Sequence, residues 1–323
     1  MHDYDLLVVG SANADLVVGV DQRPAAGETV LGSDLAIHPG GKGANQAAAA
    51  ARLGARTTLL ARVGDDAYGR MLGQAQRDAG ADTTGLLEGK DAPTGVALIT
   101  VDSAGDNSIV VSQGANARLT PQDVAAARPL FQAAAVVSLQ LEIPLETVAA
   151  AALTAAGSGA RVVLNPSPPA PLPDDVLGLC DPLVVNEHEA RRLLEGRTEG
   201  GSGNDLPGTP EAWAEALLEL GPRSVVVTLG AAGALVATPG TATVRVPSPA
   251  VEAVDTTGAG DAFTGALGWR LGRGDGLVDA VRYAVRVGSF AVTRAGAQES
   301  YPSAEEIEKA GGTGGTSEKG TLT

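Results

Sequence analysis

A chain of 323 residues can form one large domain or two ordinary ones, and 44 % hydrophobic but only 3 % aromatic residues leave Ala, Val, Leu and Gly to build the core. The formal charge of −15 argues against a nucleic-acid-binding protein and means that an anionic ligand must be held by local groups. The single cysteine excludes an internal disulfide. The apolar runs fall short of the roughly 20 residues that cross a bilayer, and without a visible secretory signal the expected location is the cytoplasm.

Short apolar runs alternate with helix-like segments along the chain. The predicted strands cover 6–10, 57–63, 134–139, 162–165, 183–186 and 224–229. The predicted helices cover 44–53, 67–79, 145–156, 259–271 and 277–294. Because apolar strands that alternate with helices are typical of a sheet covered on both faces, the expected fold class is α/β, with a doubly wound, mainly parallel sheet flanked by helices.

Two stretches interrupt this alternation, since residues 15–37 and 95–112 are β-rich and have no helix between their strands. We expect them to form a small antiparallel sheet appended to the main body. No helices would sandwich that sheet, so it must be half exposed and could cover a site, a partner or both. The Gly-rich segment 196–208 is predicted as a loop, and the Gly/Thr/Ser-rich segment 311–323 as a flexible tail.

The most informative run is DTTGAGDAF at 255–263, which follows a strand-like run at 251–254 and opens a helix. Its glycines bring the N–H groups of Gly258, Ala259 and Gly260 close to a ligand at a helix N-terminus, where they are unpaired and negative charge is favoured. Such an anion hole suits a transferring phosphoryl group. Asp261, in the first helical turn, can cap the helix and can accept a proton from a substrate hydroxyl. The competing interpretation is an ordinary capped helix preceded by glycine.

A second glycine-rich run, PGGKGANQA at 39–47, also precedes a helix. Its glycines allow the backbone to approach a polyol or a phosphate, and Lys42 and Asn45 supply hydrogen-bond donors. The spacing differs from that of a Walker A loop. The alternative is a flexible turn with a solvated lysine.

Further polar residues follow predicted strands. Asp15, in the run GSANAD at 10–15, could accept bonds from two neighbouring sugar hydroxyls, although the segment taken alone favours a turn-forming Asn/Asp pair. Glu142 and Glu189 could order waters around Mg²⁺, or could simply be acids at helix starts. Thr228, with the glycines that follow it, could leave room for a nucleotide.

Other kinds of site are disfavoured by the sequence. The three histidines are too dispersed for a zinc site. A Gly-x-Ser-x-Gly elbow is missing, which argues against a serine hydrolase. A Gly-x-Gly-x-x-Gly fingerprint after the first strand is missing too, which argues against a dinucleotide-dependent oxidoreductase.

Three runs together resemble the ribokinase-like (pfkB) carbohydrate kinases: GGKGANQ at 40–46, NEHE at 186–189 and DTTGAGDAF at 255–263. The resemblance covers about residues 4–305. The resemblance implies a kinase domain over residues 1–310 with a β-sheet lid drawn from about 15–37 and 95–112. It implies transfer of the γ-phosphoryl group of Mg·ATP to the 5-hydroxyl of D-ribose. It also implies activation by K⁺ and a homodimer formed through the lid.

The resemblance assigns roles by position in the motifs. Asp261 is the implied general base, beside an anion hole formed by Gly258, Ala259 and Gly260. The implied sugar-binding residues are Asn13, Asp15, Gly41, Lys42, Asn45, Glu142 and Asp261. The implied nucleotide contacts are Asn186, Thr228, Gly230, Gly233, Gly260 and Val285. The implied K⁺ ligands, several through backbone carbonyls, are Asp255, Thr257, Ala291, Arg294, Gly296 and Ser300, while Glu189 orders Mg²⁺ indirectly.

Three departures from the family pattern concern the nucleotide side and the surface. Val185 stands where proline is usual, Val285 stands where a polar or ring contact to adenine is frequent, and the segment 196–208 is longer than usual. Two alternatives also stay open. One is a sibling kinase for deoxyribose, fructose or a nucleoside, and the other is a sugar sensor without catalysis, which would have no need of Asp261.

Overall fold

The computed structural model describes residues 2–197 and 207–312. The strands are β1 Tyr4–Val9, β2 Asn13–Gly19, β3 Ala36–Gly40, β4 Thr57–Gly64, β5 Leu86–Gly89, β6 Gly95–Val101, β7 Asn107–Ser112, β8 Ala134–Leu139, β9 Arg161–Leu164, β10 Cys180–Asn186, β11 Val225–Thr228, β12 Ala234–Ala237 and β13 Val244–Val246. The α-helices are α1 Lys42–Arg52, α2 Ala67–Ala79, α3 Pro121–Ala126, α4 Arg128–Ala133, α5 Leu145–Gly157, α6 Asp174–Leu177, α7 Glu187–Glu195, α8 Pro210–Glu219, α9 Ala259–Gly272, α10 Leu277–Ala291 and α11 Ala304–Gly312.

Within these described ranges, nine strands form one sheet in the order β13-β12-β11-β10-β9-β8-β1-β4-β5. In this spatial order, the seven neighbouring strands from β11 to β5 pair in parallel, whereas β12 and β13 join antiparallel at one edge. Parallel strands are joined by crossovers that place helices on the sheet faces. The predicted doubly wound, mainly parallel α/β fold is confirmed.

Each central strand is buried on both faces. In β1, Leu6 and Val8 pack toward α1, α9 and α10, while Leu7 and Val9 pack toward α5, α7 and α8. This explains why the strands are continuously apolar and do not alternate with polar residues. The carboxyl ends of β1, β8, β10 and β11 meet at one edge of the sheet, where loops and helix N-termini gather.

The second sheet has the order β3-β2-β6-β7 in the described chain. The prediction of a small sheet drawn from the two β-rich stretches agrees with this, but the prediction that it is antiparallel is wrong. β2 pairs in parallel with β6 over Asn13–Gly19, and only β3 and β7 join antiparallel. The parallel pair arises because β2 leaves β1 and β6 leaves the main body in the same direction, with α1 and α2 between them in the chain.

Other predictions are corrected or lie outside the described residues. Residues 251–254 were expected to be strand-like but form no strand. The segment has no neighbouring strand to pair with and instead bonds to the end of α10, where the Val254 N–H donates to Val292 O at 2.7 Å. Of the predicted loop at 196–208, residues 198–206 are not described, and neither is the predicted tail beyond Gly312. No helix in the described ranges combines the length and apolar character needed to span a membrane.

Close packing of α1 on α9 positions the site described below. α1 contributes a row of buried alanines, and α9 faces it with Gly265. A Cβ on Gly265 would lie 2.4 Å from the carbonyl oxygen of Gln46 and 3.2 Å from the Cβ of Ala49. A glycine is therefore required for the two backbones to approach this closely.

Candidate active site

Asp261 lies at the centre of the site, buried on the first turn of α9. Asn45 donates from Nδ2 to its Oδ2 at 3.0 Å, and Gln46 donates from Nε2 to its Oδ1 at 3.2 Å. Both amides belong to α1, so the carboxylate is held across the interface between the two helices. The predicted capping role is wrong: the N-cap residue is Gly258, and the carboxylate is turned toward α1 instead of toward its own helix end.

The N-terminus of α9 carries the three residues predicted to form an anion hole, and of their N–H groups that of Ala259 donates to Thr256 O at 3.3 Å. Gly258 adopts a left-handed φ of 71°, and its carbonyl accepts a bond from the Tyr301 hydroxyl at 3.2 Å. A Cβ on Gly258 would lie 2.5 Å from that hydroxyl oxygen, so the position requires glycine. Burial, with Asp261, Glu299 and Asp15 nearby, raises the pKa of Tyr301 well above its usual value, which keeps the hydroxyl a donor.

Lys42 and Glu142 flank the start of α1. The carboxylate of Glu142 accepts a bond from the backbone N–H of Lys42 at 3.1 Å and from the hydroxyl of Ser11 at 2.5 Å. Glu142 thus supplies the acceptor that the N-cap residue, Gly41, lacks. Burial lowers the pKa of the Lys42 ammonium, but the carboxylates of Asp261, Glu142 and Glu189 outweigh this, and the net pKa is raised. Lys42 is therefore a fixed positive charge among acids.

Asp15 lies on β2, at the boundary between the main body and the four-stranded sheet β3-β2-β6-β7, which is called the lid sheet below. Burial, followed by the charge of Glu142, raises its pKa to about 7, and His38, its cross-strand neighbour on β3, opposes the shift. Its carboxylate packs against the backbone of Gly40, where a Cβ would lie 2.1 Å from Oδ2. The lid sheet also contacts the main body through His38 Nδ1 and Glu299 Oε1, which are 3.0 Å apart.

Asn13 lies nearby but is engaged with the protein itself. Its Oδ1 accepts a bond from Nδ2 of Asn116 at 2.7 Å, and Asn116 also bonds both backbone groups of Ala12. This pair fixes the strand that carries Asp15.

Two cavities meet at Thr228 and Gly260. The first, about 220 Å³, is polar and is lined by Lys42, Asn165, Ser167, Val184, Val185, Asn186, Glu189, Thr228, Gly258, Gly260, Asp261 and Thr264. The second, about 510 Å³, has a mostly apolar lining that includes Gly230, Ala231, Gly233, Val251, Ala253, Phe263, Val285 and Val292. The structure thus brings Lys42 and Asp261 into one cavity and Gly230, Gly233 and Val285 into the other.

Asn186 and Glu189 form a reciprocal cap at the start of α7. The Asn186 side chain accepts from the Glu189 N–H at 2.8 Å, and Glu189 Oε2 accepts from the Asn186 N–H at 2.9 Å. The interpretation as acids at a helix start is thus correct for Glu189. The same carboxylate is buried and faces the polar cavity and Lys42, so it belongs to the site as well.

The predicted cation ligands are partly brought together. The carboxylate of Asp255 accepts bonds from the N–H and hydroxyl of Thr257 at 2.9 and 2.6 Å and from the N–H of Gly296 at 2.8 Å. Its pKa is lowered because these bonds outweigh the effect of burial. Ala291 and Arg294 lie on the turn that ends α10, and the Ser300 hydroxyl bonds to Ala297 O. The loop 291–300 therefore adjoins Asp255, without a direct contact from Ser300.

Sequence reasoning missed several residues that shape this site, among them Ser11, Gln46, Gln140, Gln298 and Tyr301. For Gln46 a signal existed, because residues 42, 45 and 46 share one face of a helix. For the others, which come from three separate segments, the spacing along the chain carries no signal.

Comparison with known proteins identifies the family. The model of the pfkB family of carbohydrate kinases matches residues 3–304. The chain belongs to this family. The matched range includes every residue that lines the two cavities.

Individual members of the pfkB family are similar over nearly their whole length. A ribokinase of Schizosaccharomyces pombe is 38 % identical over 315 residues, covering 94 % of this chain and 96 % of the relative. A deoxyribokinase of Salmonella typhi is 36 % identical over 306 residues, covering 94 % and 98 %. The solved structure of Arabidopsis thaliana ribokinase complexed with ribose and ATP has a TM-score of 0.85 at 33 % identity, covering 95 % of this chain and 98 % of that one.

Proposed function

We propose that the protein transfers the γ-phosphoryl group of ATP to the 5-hydroxyl of D-ribose, giving D-ribose 5-phosphate and ADP. The observation that carries the proposal is the placement of Asp261, which is buried in the polar cavity next to Gly260, where that cavity meets the apolar one. Similarity to ribokinases, one of them solved with ribose and ATP, supports ribose as the acceptor.

In the proposed reaction, Asp261 accepts the proton of the 5-hydroxyl. The hydroxyl oxygen forms a bond to the γ-phosphorus as the bond from that phosphorus to the β–γ bridging oxygen breaks, and the electron pair leaves on ADP. The N–H groups of Gly258, Ala259 and Gly260 stabilise the charge on the transferred group, because they are preorganised at a helix N-terminus. Lys42, fixed among carboxylates, adds positive charge on the polar side.

The sugar lies between the lid and α1 in this proposal. Asp15 and Glu142 accept bonds from sugar hydroxyls, and Asn45, which already bonds Asp261, also donates to the sugar. Asn13 and Gly41 contribute mainly by placing these groups, since Asn13 is paired with Asn116.

The nucleotide lies along the two cavities in this proposal. Thr228 and Asn186 line the polar cavity beside the phosphates, and Gly230, Gly233 and Val285 line the apolar cavity that accepts the adenine ring. An aromatic base gains by burial against such a lining. Gly260, shared by both cavities, lies where base and phosphates join.

The donor chemistry suits Mg²⁺ held mainly by the nucleotide and by water. Mg²⁺ usually retains several waters and takes few protein ligands, and the buried carboxylate of Glu189 faces the polar cavity, where it can accept bonds from such waters. Bound with ATP, Mg²⁺ would neutralise charge on the phosphates.

K⁺ activation is also part of the proposal. The carboxylate of Asp255 and the carbonyl-rich loop 291–300 offer oxygen ligands of the kind that K⁺ takes, through Asp255, Thr257, Ala291, Arg294, Gly296 and Ser300. Since Asp255 and the anion hole lie in one turn, an ion there would affect the geometry of that turn.

We further propose a homodimer formed through the lid, located in the cytoplasm where MgATP is abundant. The lid exposes apolar side chains, among them Leu98, Ile109, Val110 and Val111, and exposed patches of this kind often mark interfaces. Sedimentation of the Val110→Lys variant is expected to show a monomer where the unchanged chain shows a dimer. A monomeric unchanged chain at micromolar concentration would end this part of the proposal.

Deoxyribose is the second candidate acceptor, because a deoxyribokinase is 36 % identical to this chain. The experiment that decides is ADP release with ribose, deoxyribose, fructose and adenosine, each with and without K⁺. Ribose is expected to give the highest kcat/KM, with stimulation by K⁺. Higher kcat/KM for another acceptor would overturn the substrate assignment, and equal rates with Na⁺ and K⁺ would overturn the K⁺ assignment.

A further inference from the structure

Gln46 joins Asp261 to the central sheet through buried polar side chains. Gln46, Ser138 and Gln140 are each fully buried. Gln46 Oε1 accepts a bond from the Ser138 hydroxyl at 2.8 Å and from Gln140 Nε2 at 2.6 Å, and Gln46 Nε2 donates to Asp261 Oδ1 at 3.2 Å. A continuous path of hydrogen bonds therefore leads from β8 to the carboxylate.

The carboxylate of Asp261 decides which way the Gln46 amide points. An amide has one acceptor end and one donor end, whereas the oxygen atoms of a carboxylate accept. The NH₂ group is therefore turned toward Asp261, and the amide oxygen is turned toward Ser138 and Gln140. The reverse orientation would place a carbonyl oxygen against the carboxylate and an NH₂ group against Nε2 of Gln140.

The orientation in which Gln140 donates to Gln46 lowers the stability of the fold. In the part of the chain that the structure describes, the buried Oε1 of Gln140 has no hydrogen-bond partner. That oxygen fits only because residue 10 is glycine, where a Cβ would lie 2.0 Å from it. A buried acceptor without a partner destabilises the fold. An arrangement chosen for stability alone would place an apolar side chain here.

The two side-chain amides that donate to Asp261, those of Asn45 and Gln46, differ in their other contacts. Asn45 is bonded on its other side by Gln298 and lies where we place the sugar, so its contact can change when substrate binds. Gln46 lies beneath the site, out of reach of substrate. The contact from Gln46 is thus the one that stays constant through the reaction.

We propose that Gln46 is a positioning residue for Asp261, oriented by Ser138 and Gln140. It fixes Oδ1, so that the other carboxylate oxygen keeps its place beside the substrate hydroxyl. This inference rests on the proposed role of Asp261 as the base and deepens it. Gln46 touches neither substrate, and its effect passes through Asp261 alone.

The first test is Gln46→Met, which keeps the length of the side chain and removes its hydrogen bonds. The expected result is a fall in kcat of about 10²-fold, the scale of a misplaced reacting group, with KM for ribose and for ATP changed less than about threefold. Gln76→Met is the matched control, because Gln76 is also buried and donates to α1, through Ala44 O at 3.0 Å, but does not touch Asp261. Its kcat is expected to stay within about threefold, at a comparable loss of thermal stability.

The second test repeats Gln46→Met in the Asp261→Asn background. If Gln46 acts through Asp261, the substitution is expected to cost less than about threefold there, because coupled residues are not additive. A loss of about 10²-fold in both backgrounds would overturn the proposal and indicate a general structural role. A kcat for Gln46→Met equal to that of the Gln76→Met control would overturn it as well.

Ser138→Ala keeps the proposal testable if Gln46→Met does not fold. It removes one of the two bonds that orient Gln46, and a fall in kcat of about 3- to 10-fold with unchanged KM is expected, because one donor remains. An unchanged kcat in a folded Ser138→Ala variant would contradict the orienting role of Ser138. Failure of the proposed function is distinguishable, since the unchanged protein would then release no ADP, or Asp261→Asn would retain its full rate.

Discussion

The polar and apolar cavities meet at Thr228 and Gly260 but are built in different ways. The polar cavity takes its lining from α1, the loop after β9, β10, α7, β11 and the start of α9, segments that are far apart in sequence. The apolar cavity takes most of its lining from two stretches, 248–263 and the helix α10. Interactions in the polar cavity depend on the distances and directions of hydrogen-bonding groups, whereas those in the apolar cavity depend on the area and volume that are buried.

This difference predicts that substitutions in the two cavities affect different kinetic constants. Hydrogen bonds weaken steeply with poor geometry, so small displacements on the polar side should lower kcat. Apolar burial is non-directional and tolerates volume-conserving changes, so substitutions on the apolar side should alter KM for ATP and leave kcat alone. Four substitutions test this contrast, in order of expected effect, and a fifth serves as a matched control.

Asp261→Asn addresses the polar side most directly. Removing the proposed base is expected to lower kcat by about 10³-fold or more, while the fold and one of the two bonds to α1 are kept, because the amide of asparagine has a single acceptor oxygen. Steady-state ADP release with ribose measures this, and KM for ATP should change little, because the adenine cavity is intact. A near-normal kcat would show that another group accepts the proton.

Gly265→Ala tests whether spacing between helices positions the base. The added Cβ would lie 2.4 Å from Gln46 O, so α9 must move away from α1, which carries both amides that hold Asp261. A loss of about 1–3 kcal/mol in the free energy of unfolding is expected. A fall in kcat of about 10- to 10²-fold should accompany it.

Gly288→Ala is the matched control for the helix-spacing test. On α10 a Cβ at this position would meet its nearest neighbour at 3.5 Å, an ordinary contact. Stability should be unchanged or higher by about 0.5 kcal/mol, because glycine inside a helix is unfavourable. Equal effects of the two substitutions, measured by denaturation and by kcat, would refute the spacing argument.

Asp15 gives the polar side a pH dependence. Its pKa of about 7 means that it loses its proton near neutral pH, and the carboxylate accepts stronger bonds from hydroxyls than the acid does. KM for ribose is therefore expected to fall as pH rises through about 7, by up to about tenfold, whereas KM for ATP stays level. Asp15→Asn should remove this slope, and a slope that persists in that variant would assign the titration to another group.

The same pKa makes a prediction about stability. The folded chain holds the Asp15 proton more tightly than the unfolded chain, whose ordinary value is 3.8. This contribution to stability is fully present below that value and is lost as pH rises toward about 7. Denaturation of the ligand-free protein, compared with Asp15→Asn, measures it.

Val285→Ala tests the apolar side and should have the smallest effect. Removing buried carbon from the wall is expected to raise KM for ATP about fourfold, the effect of roughly one buried CH₂, with kcat unchanged. A lowered kcat without a change in KM would show that the two cavities do not divide their roles in this way.

The sequence was sufficient for the six central strands of the main sheet, whereas the edge strands β5, β12 and β13 were not predicted. Apolar runs with flanking glycines predicted the central strands, and DTTGAGDAF and GGKGANQ predicted where two functional helices begin. Spacing along a chain says nothing about which side chain turns toward which, so the pairing of Asp261 with α1 instead of with its own helix end could not be foreseen. The parallel pairing of β2 with β6 was missed because strand direction depends on the path of the intervening chain.

The contact between Asn45 and Asp261 joins residues separated by 216 positions, one near each end of the domain. During synthesis, which proceeds from the N-terminus at roughly 5–20 residues per second, the sugar-binding half exists well before the base emerges. A nascent chain or a fragment that ends before α9 carries the lid, Lys42 and Glu142 but lacks Asp261, the proposed base. On that proposal, catalytic competence arises only after α9 has been made, and fragments that end before α9 are expected not to consume ATP by this reaction.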